Sequence, residues 1–312
     1  MTEYILRRIL LMIPVLFGVS LILFALVRVL PGDIAVARLG TEASPELVRQ
    51  LRAELRLNRP LHEQYLEWLW GALRLDFGRS LWNHRSVRDN IAAALPVTLE
   101  LAVLALAIEV VIAIPFGILS AAMQDRWPDY VLRLFSTLGL AVPSFWLATL
   151  VITFPAIWWN WAPPPGVPGI LDQPDNLIKY LIPAACVALS TSAIVVRLMR
   201  SMMLEVLRQE YIRTAYAKGL TGRAVLVRHA LKNGLIPVVT IIGNQMGFLL
   251  GGLVIIEQVF ALPGLGRLAL DAITQRDYPQ LEANVLLLAV SFLVINLVVD
   301  VMYGYLDPRV RY

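Results

Sequence analysis

Apolar positions along the chain gather into six long runs free of Asp, Glu, Lys and Arg: Ile9–Val27, Val110–Gln124, Leu134–Leu171, Tyr180–Val196, Asn233–Ile256 and Ala283–Val299. A helix needs about 20 residues to cross a hydrocarbon core about 30 Å thick. The runs therefore predict spans near Ile9–Val29, Leu95–Ala121, Val131–Trp159, Leu177–Arg197, Ile236–Glu257 and Leu281–Gly304. The third ends at Trp158, Trp159 and Trp161, aromatic residues of the kind that collect at a membrane interface. The expected fold class is all-α, a polytopic membrane protein with six transmembrane helices. An even number of spans puts both termini on one side.

The segments between the runs have patterns of their own. Three regions emerge: 1–30 with the first span, a loop at 31–94, and a core at 95–312 that includes a polar segment at 200–234. In the long loop, Ser44 and Pro45 open a helix with Leu47, Leu51 and Leu55 at i+4 spacing. Leu61, Tyr65, Leu66, Leu69 and Leu73 then repeat at three and four residues, while Gly71, Gly78 and Asn83 punctuate the chain. This predicts a small helical cap, either a shield over the spans or a docking platform; a loop so long is uncommon without a use. A second loop carries Pro163, Pro164, Pro165, Pro168 and Pro174, which favour a stiff polyproline rod: a finger toward a partner, a lid, or a spacer.

The segment 200–234 is the most informative. Met203, Leu207, Tyr211 and Ala215 recur every four residues and so share a face on a single helix. Gly219 is placed to stop that helix, and Thr221 to cap a second one running to Asn233-Gly234. Two amphipathic helices at a glycine elbow suit either an anionic lipid surface or a groove on a soluble protein.

Composition agrees with the pattern. The chain is 58% hydrophobic and 16% charged over 312 residues, with a mean hydropathy of +0.68, against about a quarter charged in soluble domains. This excludes an ordinary soluble enzyme. The lone Cys186, inside an apolar run, excludes a disulfide scaffold. Arg7 and Arg8 before the first run would also suit a signal peptide. The run is longer than a signal core, however, and no A-x-A site precedes Pro31, so a retained span is expected. Charge orients the bundle. Arg7 and Arg8, Arg126 and Arg133, Arg309 and Arg311, and the eight basic residues from Arg197 to Lys232 fall on one side. The loop Asn160–Asn176 has neither Lys nor Arg, so both termini and the elbow are expected in the cytoplasm. The Arg-rich 31–94 loop is placed outside, because long loops translocate regardless of charge.

Candidate chemistry is sparse. Ionisable residues within spans are costly and tend to face a bundle interior or a pathway. Glu109 sits deepest and is the first pathway candidate, joined by Asn296 and by Asn244 and Gln245, the last two with interhelical hydrogen bonding as the alternative. Glu100 is expected near an interface, and Glu257 and Asp300 as charge partners at span ends. His62, His84 and His229 lack metal-ligand spacing, so no metal site and no catalytic residue is assigned. Lys179, Lys218 and Lys232 follow Ile, Ala and Leu, never Gly, so no GxxxxGK[ST] loop exists and the chain holds no nucleotide motor of its own.

At the elbow the residues become specific. Glu210-Tyr211-Ile212-Arg213-Thr214-Ala215-Tyr216-Ala217-Lys218-Gly219-Leu220, followed by Arg228-His229-Ala230-Leu231-Lys232-Asn233-Gly234-Leu235-Ile236-Pro237, resembles the coupling loop of ATP-binding cassette importer permeases. More narrowly, it is similar to the dipeptide/oligopeptide (nickel, glutathione) transport family. Of the general E-A-A, three residues, Gly motif only Ala215 and Gly219 fit. Arg213 and Thr214 replace Glu and Ala, as is usual in the peptide branch. Further similar segments are Leu30-Pro31-Gly32-Asp33, Leu75–Ser80, Pro96–Glu100, Glu257–Phe260, Leu262–Gly266, Arg276–Pro279 and Asp307–Arg311.

The resemblance implies a type I importer permease in the bacterial inner membrane, forming half of a pathway for di- or oligopeptides. Nickel chelates or glutathione are the alternative cargo. It implies a second homologous permease, two ATPase subunits that carry Mg-ATP, an extracytoplasmic binding protein and the lipid membrane as partners, with no nucleic acid and no cofactor in this chain. Coupling to the ATPase would fall to Tyr211, Arg213, Thr214, Ala215, Lys218, Gly219 and Leu220. Pro163, Pro164, Pro165 and Pro168 are candidates for docking the binding protein. Two other function classes remain open on the residues alone: a proton-coupled transporter using the intramembrane carboxylates, and a scaffold recruiting proteins or lipid through the elbow.

Overall fold

A computed structural model describes residues 2–29, 44–54, 58–166, 169–170 and 173–306. The described structure is built from helices: α1 (Thr2–Val29), α2 (Pro45–Glu54), α3 (Leu61–Leu73), α4 (Val87–Ala122), α5 (Trp127–Ala141), α6 (Ser144–Trp159), α7 (Leu177–Leu207), α8 (Glu210–Ala217), α9 (Leu231–Val259), α10 (Leu265–Thr274) and α11 (Tyr278–Leu306). Helix α9 is entered through one turn at Gly222–Ala224 and a π-helical stretch at Val225–Ala230. Among the described residues five helices are long and apolar enough to cross a membrane, or six if α5 and α6 form one bent span.

That bend corrects the third span, which the charge-free run predicts as one helix. Helices α5 and α6 meet at 95°. Val142 is extended (φ −96°, ψ 114°) because the ring of Pro143 excludes the helical conformation from the residue before it. Ser190 of α7 donates to the freed Val142 carbonyl at 3.4 Å. Proline does not break every helix: Pro96 and Pro115 lie inside α4, and Pro183 and Pro237 inside α7 and α9.

The centre of the bundle is the parallel pair α4 and α7, both running from the cap end to the elbow end, its most extensive helix contact. In lipid no hydrophobic force draws helices together, so close packing of small residues must. Ala102, Ala105, Ala113, Ala184 and Ala188 are buried along these two helices, and Ala193 of α7 is buried against Gly139 of α5. Gly117 sits so close to α7 that a β-carbon there would run into Met199, with its Cγ at 2.7 Å and the Val196 carbonyl at 3.0 Å. Two apolar clusters follow. One, at the end that carries residues 58–94 (the cap end), joins Leu101, Tyr180, Leu253 and Leu262. The other, at the end that carries α8 (the elbow end), joins Val195, Met199, Ile212, Val225 and Val238.

The two predicted cap helices form. The Leu47 amide donates to Ser44 Oγ at 3.3 Å, opening α2. Leu55 and the segment 31–43, which includes Leu30–Asp33 of the family pattern apart from Leu30 itself, lie with Leu30 outside the described residues, as do Asp307–Arg311. Gly71 falls inside α3 instead of breaking the chain. Helix α3 leans on α1 through Tyr65, which hydrogen-bonds Ser20 at 2.8 Å and meets the Phe24 ring edge-on at 5.3 Å. Helix α1 packs in turn on α11, held by Arg28–Glu282 near the cap end and by Arg8–Asp300 at 2.9 Å near the elbow end.

Overfilling the α4–α7 seam should destabilise the whole bundle. Gly117→Leu is expected to cost about 1–3 kcal/mol, read as a lower midpoint of unfolding in mixed micelles, whereas Gly18→Leu, where a β-carbon meets nothing within 4 Å, should leave it unchanged.

Candidate functional site

The elbow differs from its sequence pattern in two ways. Helix α7 ends at Leu207, and Gln209 is extended (φ −73°, ψ 148°) before α8 begins. Met203 and Leu207 therefore share no helix with Tyr211 and Ala215. The buried residues of α8 are Ile212 and Ala215, and Tyr211 is exposed. The second elbow helix does not stop at Asn233-Gly234 either. Thr221 caps it, accepting from the Ala224 amide at 3.4 Å, and it runs through the π-helical stretch into α9. Two short helices are thus one short helix and the foot of a span.

The end of α8 follows its sequence signal closely. Gly219 has φ +80°, its amide donates to the Tyr216 carbonyl at 2.9 Å, and the Leu220 amide reaches back to Ala215 at 3.3 Å. These two bonds are the Schellman pair, which satisfies carbonyls that the last turn leaves open. A β-carbon on Gly219 would meet nothing within 4 Å, so the position is constrained by backbone conformation and not by space. Lys218 is the C-cap. Arg213 pairs with Glu210 at 2.8 Å, and the Thr214 hydroxyl donates to the Glu210 carbonyl at 3.1 Å. Asn233 Nδ2 donates to the Tyr211 hydroxyl at 2.7 Å, tying α8 to the foot of α9. Ile212 is sealed against the elbow-end cluster with Met203 and Val225. The helix is clamped on one side, while Tyr211, Tyr216 and Leu220 stay exposed.

Midway along the bundle lies a polar layer. Glu109 of α4 is fully buried and accepts a hydrogen bond from the Thr191 hydroxyl of α7 at 2.8 Å. Gln245 of α9 donates to the Thr191 carbonyl at 3.4 Å. One oxygen of Glu109 and the amide oxygen of Gln245 have no hydrogen-bond partner among the described residues. The layer separates the two apolar clusters and joins two of the four pathway candidates. Asn244 is exposed on the chain, and Asn296 lies instead beside the Arg8–Asp300 pair, lining a cavity of about 160 Å³. Thr191 carries no charge and sits in a charge-free run, so only the crossing of α4 with α7 reveals its part.

At the cap end, the proline-rich loop folds back instead of projecting. The Gly166 amide donates to the Phe260 carbonyl at 3.2 Å, and the Ile170 amide donates to Glu100. Pro163 is buried, Pro164 and Pro165 are exposed, and Pro168 lies outside the described residues. Glu257 corrects its expected role as a charge partner. Its carboxylate accepts from the Thr98 hydroxyl at 2.6 Å and the Arg267 amide at 3.0 Å, with no basic side chain among its described partners. Thr98 in turn accepts from the Leu265 amide at 2.8 Å, so one clasp fixes α4, α9 and α10. Beside it opens a cavity of about 510 Å³ lined by Asn90, Val97, Gly166, Pro263, Arg267 and Asp271.

With this geometry established, comparisons place the chain among known proteins. Residues 113–312 match the family described as binding-protein-dependent transport system inner membrane component, and residues 1–102 match its N-terminal companion. A Brucella abortus protein named as a peptide transport system permease is 43% identical over 313 residues, covering all of both chains. The glutathione transport system permease protein GsiC of Escherichia coli is 38% identical over 312 residues, again end to end. In fold, the chain is similar to the MetNI methionine ABC transporter in an inward facing conformation, with TM-score 0.56, 15% identity, and 70% of this chain and 96% of that one covered. An amino acid ABC transporter gives TM-score 0.51 at 16% identity, over 71% and 94% of the two chains.

Removing the Thr191 hydroxyl leaves Glu109 without its described donor. Thr191→Val should lower unfolding stability by about 0.5–1.5 kcal/mol, and Thr191→Ser should restore it; mixed-micelle unfolding of the three proteins checks this.

Proposed function

Because the chain belongs to the binding-protein-dependent transport system inner membrane component family, as an ABC importer permease of the dipeptide/oligopeptide branch, we propose that it forms half of a pathway for di- or oligopeptides, driven through α8 by separate ATPase subunits. It is an integral inner-membrane protein that works with other ABC subunits. In this reading the partners are a second homologous permease, two ATPases that bind and hydrolyse Mg-ATP, and an extracytoplasmic binding protein. Both termini and the elbow lie in the cytoplasm, in keeping with the basic residues gathered there.

The observation that carries the coupling role is the way α8 is held. Ile212 and Ala215 are buried against the elbow-end cluster, and Tyr211 is tied to Asn233 at 2.7 Å. A push on the exposed face therefore moves the ends of α7 and α9 together with α8. Tyr211, Tyr216 and Leu220 supply an apolar and aromatic surface for a groove, and Arg213, Thr214 and Lys218 supply its polar edge. The remaining coupling residues, Ala215 and Gly219, set the base and the stop of the helix. ATP would then shift the bundle between two access states by binding one of them better. Glu109 and Gln245 are positioned to line the pathway or to lock the helices that move. At the cap end, Pro164, Pro165 and the neighbouring 510 Å³ cavity offer the surface for the binding protein.

Peptide cargo rests on the 43% identical relative, and glutathione, itself a tripeptide, on the 38% identical one. The test is uptake into proteoliposomes holding the full complex, with labelled dipeptide and labelled glutathione in parallel. Gly219→Val forces a β-branched residue toward a left-handed conformation, which costs about 1–2 kcal/mol even for ordinary residues. It should abolish uptake with membrane insertion intact, while Gly219→Asn keeps most of it. Normal uptake by the valine variant would sink the coupling role. Uptake that persists without ATP while a proton gradient is maintained would favour a carboxylate-driven transporter instead.

A further inference from the structure

A second basic site lies away from α8, between the elbow-end portions of α4, α5 and α7. It is a cavity of about 290 Å³ whose lining includes Arg133, Arg197 and Arg200, with Ser136, Thr137 and Ser201 among them. Arg200 is engaged: its Nε and Nη2 each reach Asp129 at 2.7 Å, and Asp129 also accepts from Ser120 at 2.5 Å and from the Asp125 amide at 3.1 Å. This clasp is a rigid wall. Arg133 and Arg197 are exposed, and among the described residues neither has a carboxylate partner. Arg133 leans on the Tyr130 ring at 5.7 Å. Ser136 and Thr137 donate their hydroxyl hydrogens to the Leu132 and Arg133 carbonyls. The donors the lining offers are therefore the guanidinium groups of Arg133 and Arg197, with the Ser201 hydroxyl beside them, a set suited to phosphate oxygens.

The surroundings identify which phosphate. Trp127, Tyr130, Val131, Leu134 and Leu138 form one exposed apolar stripe along α5. At helical spacing, Arg133, Thr137 and Leu140 fall on the flank between that stripe and the buried Ser136. The cavity thus opens beside an exposed apolar surface of the kind acyl chains cover, with the aromatic residues Trp127 and Tyr130, which favour the headgroup level, at its elbow end. A free anion would use the arginines and leave the stripe idle, whereas a phospholipid uses both. We infer that this cavity binds the headgroup phosphate of an anionic phospholipid, its acyl chains lying along α5. Basic pockets between membrane helices hold such headgroups in general. The site is distinct from α8 and does not depend on the cargo or on the ATPase.

The test is native mass spectrometry of the purified complex with added phosphatidylglycerol, phosphatidylcholine or inorganic phosphate. The wild type should retain phosphatidylglycerol in preference to phosphatidylcholine, and millimolar phosphate should not displace it. Arg133→Gln with Arg197→Gln should lower that retention about thirty-fold, from the general contribution of a basic residue near an anionic surface. Both side chains are exposed, so the Arg200–Asp129 clasp and the melting temperature should be unchanged. Should the double variant fail to assemble, Arg197→Glu alone is expected to reduce phosphatidylglycerol binding, and Arg197→Lys to keep it. Equal retention by wild type and variants, equal binding of phosphatidylcholine, or displacement by inorganic phosphate would each overturn the proposal.

Discussion

The close seam between α4 and α7 is the constraint on which the remaining helices depend. Water drives no association inside a bilayer, so helices hold together where backbones approach and dispersion contacts accumulate. A run of alanines and Gly117 allows this approach over the whole length of the pair. Helices α5, α6 and α9 then pack on α7 or on both members, and α11 packs on α9. Helix α1 lies on the outside of this assembly, against α11 and the cap helix α3, with Val27 in a small buried cluster with Ala272 of α10.

Polar residues are stationed where elements cross. Glu109 and Thr191 bridge the seam at mid-depth, Glu257 and Thr98 join α9 to α4 at the cap end, and Asp129 with Arg200 joins α5 to α7 at the elbow end. Asp277 does the same for the cap segment, accepting from Ser80 and from the Leu81 amide at 3.0 Å. A buried carboxylate without donors is far more costly than an apolar residue. Each of these groups therefore specifies one register of its neighbours, since a slipped helix would strand it. The elbow combines the same two devices: Ile212 and Ala215 pack into the apolar cluster, and Tyr211 and Asn233 add a polar tie.

Much of this is legible in the chain. The apolar runs locate all the long helices, because a hydrocarbon core demands continuous hydrophobicity and imposes a minimum length. Ser44 before Pro45, Thr221 and Gly219 mark helix ends through local chemistry alone, and the structure places a cap or a stop at each. The failures share a cause. Met203 to Ala215 obeys helical spacing, yet the chain turns at Gln209 and Tyr211 comes out exposed, because spacing alone cannot tell whether one helix carries all four residues. The run through Pro143 is apolar enough for one span, but its 95° bend depends on Ser190 from another helix to meet a freed carbonyl. Consecutive prolines favour a rod, and the loop instead folds onto Glu100 and Phe260 because those partners wait at the helix ends.

The sequence by itself determined the solvent this protein lives in, the number and extent of its apolar segments, the glycine stop of the elbow, and the family. All of these are set by local composition and short-range spacing. Tertiary structure alone decided which carboxylates meet which donors, that Thr191 completes a layer with Glu109 and Gln245, that α8 is clamped through Ile212 while Tyr211 faces outward, and that Arg133 and Arg197 line one cavity beside an exposed apolar stripe. Those pairings join residues on different helices, tens of positions apart. No local rule fixes them, because helix rotation and crossing are chosen by the packing of the whole bundle.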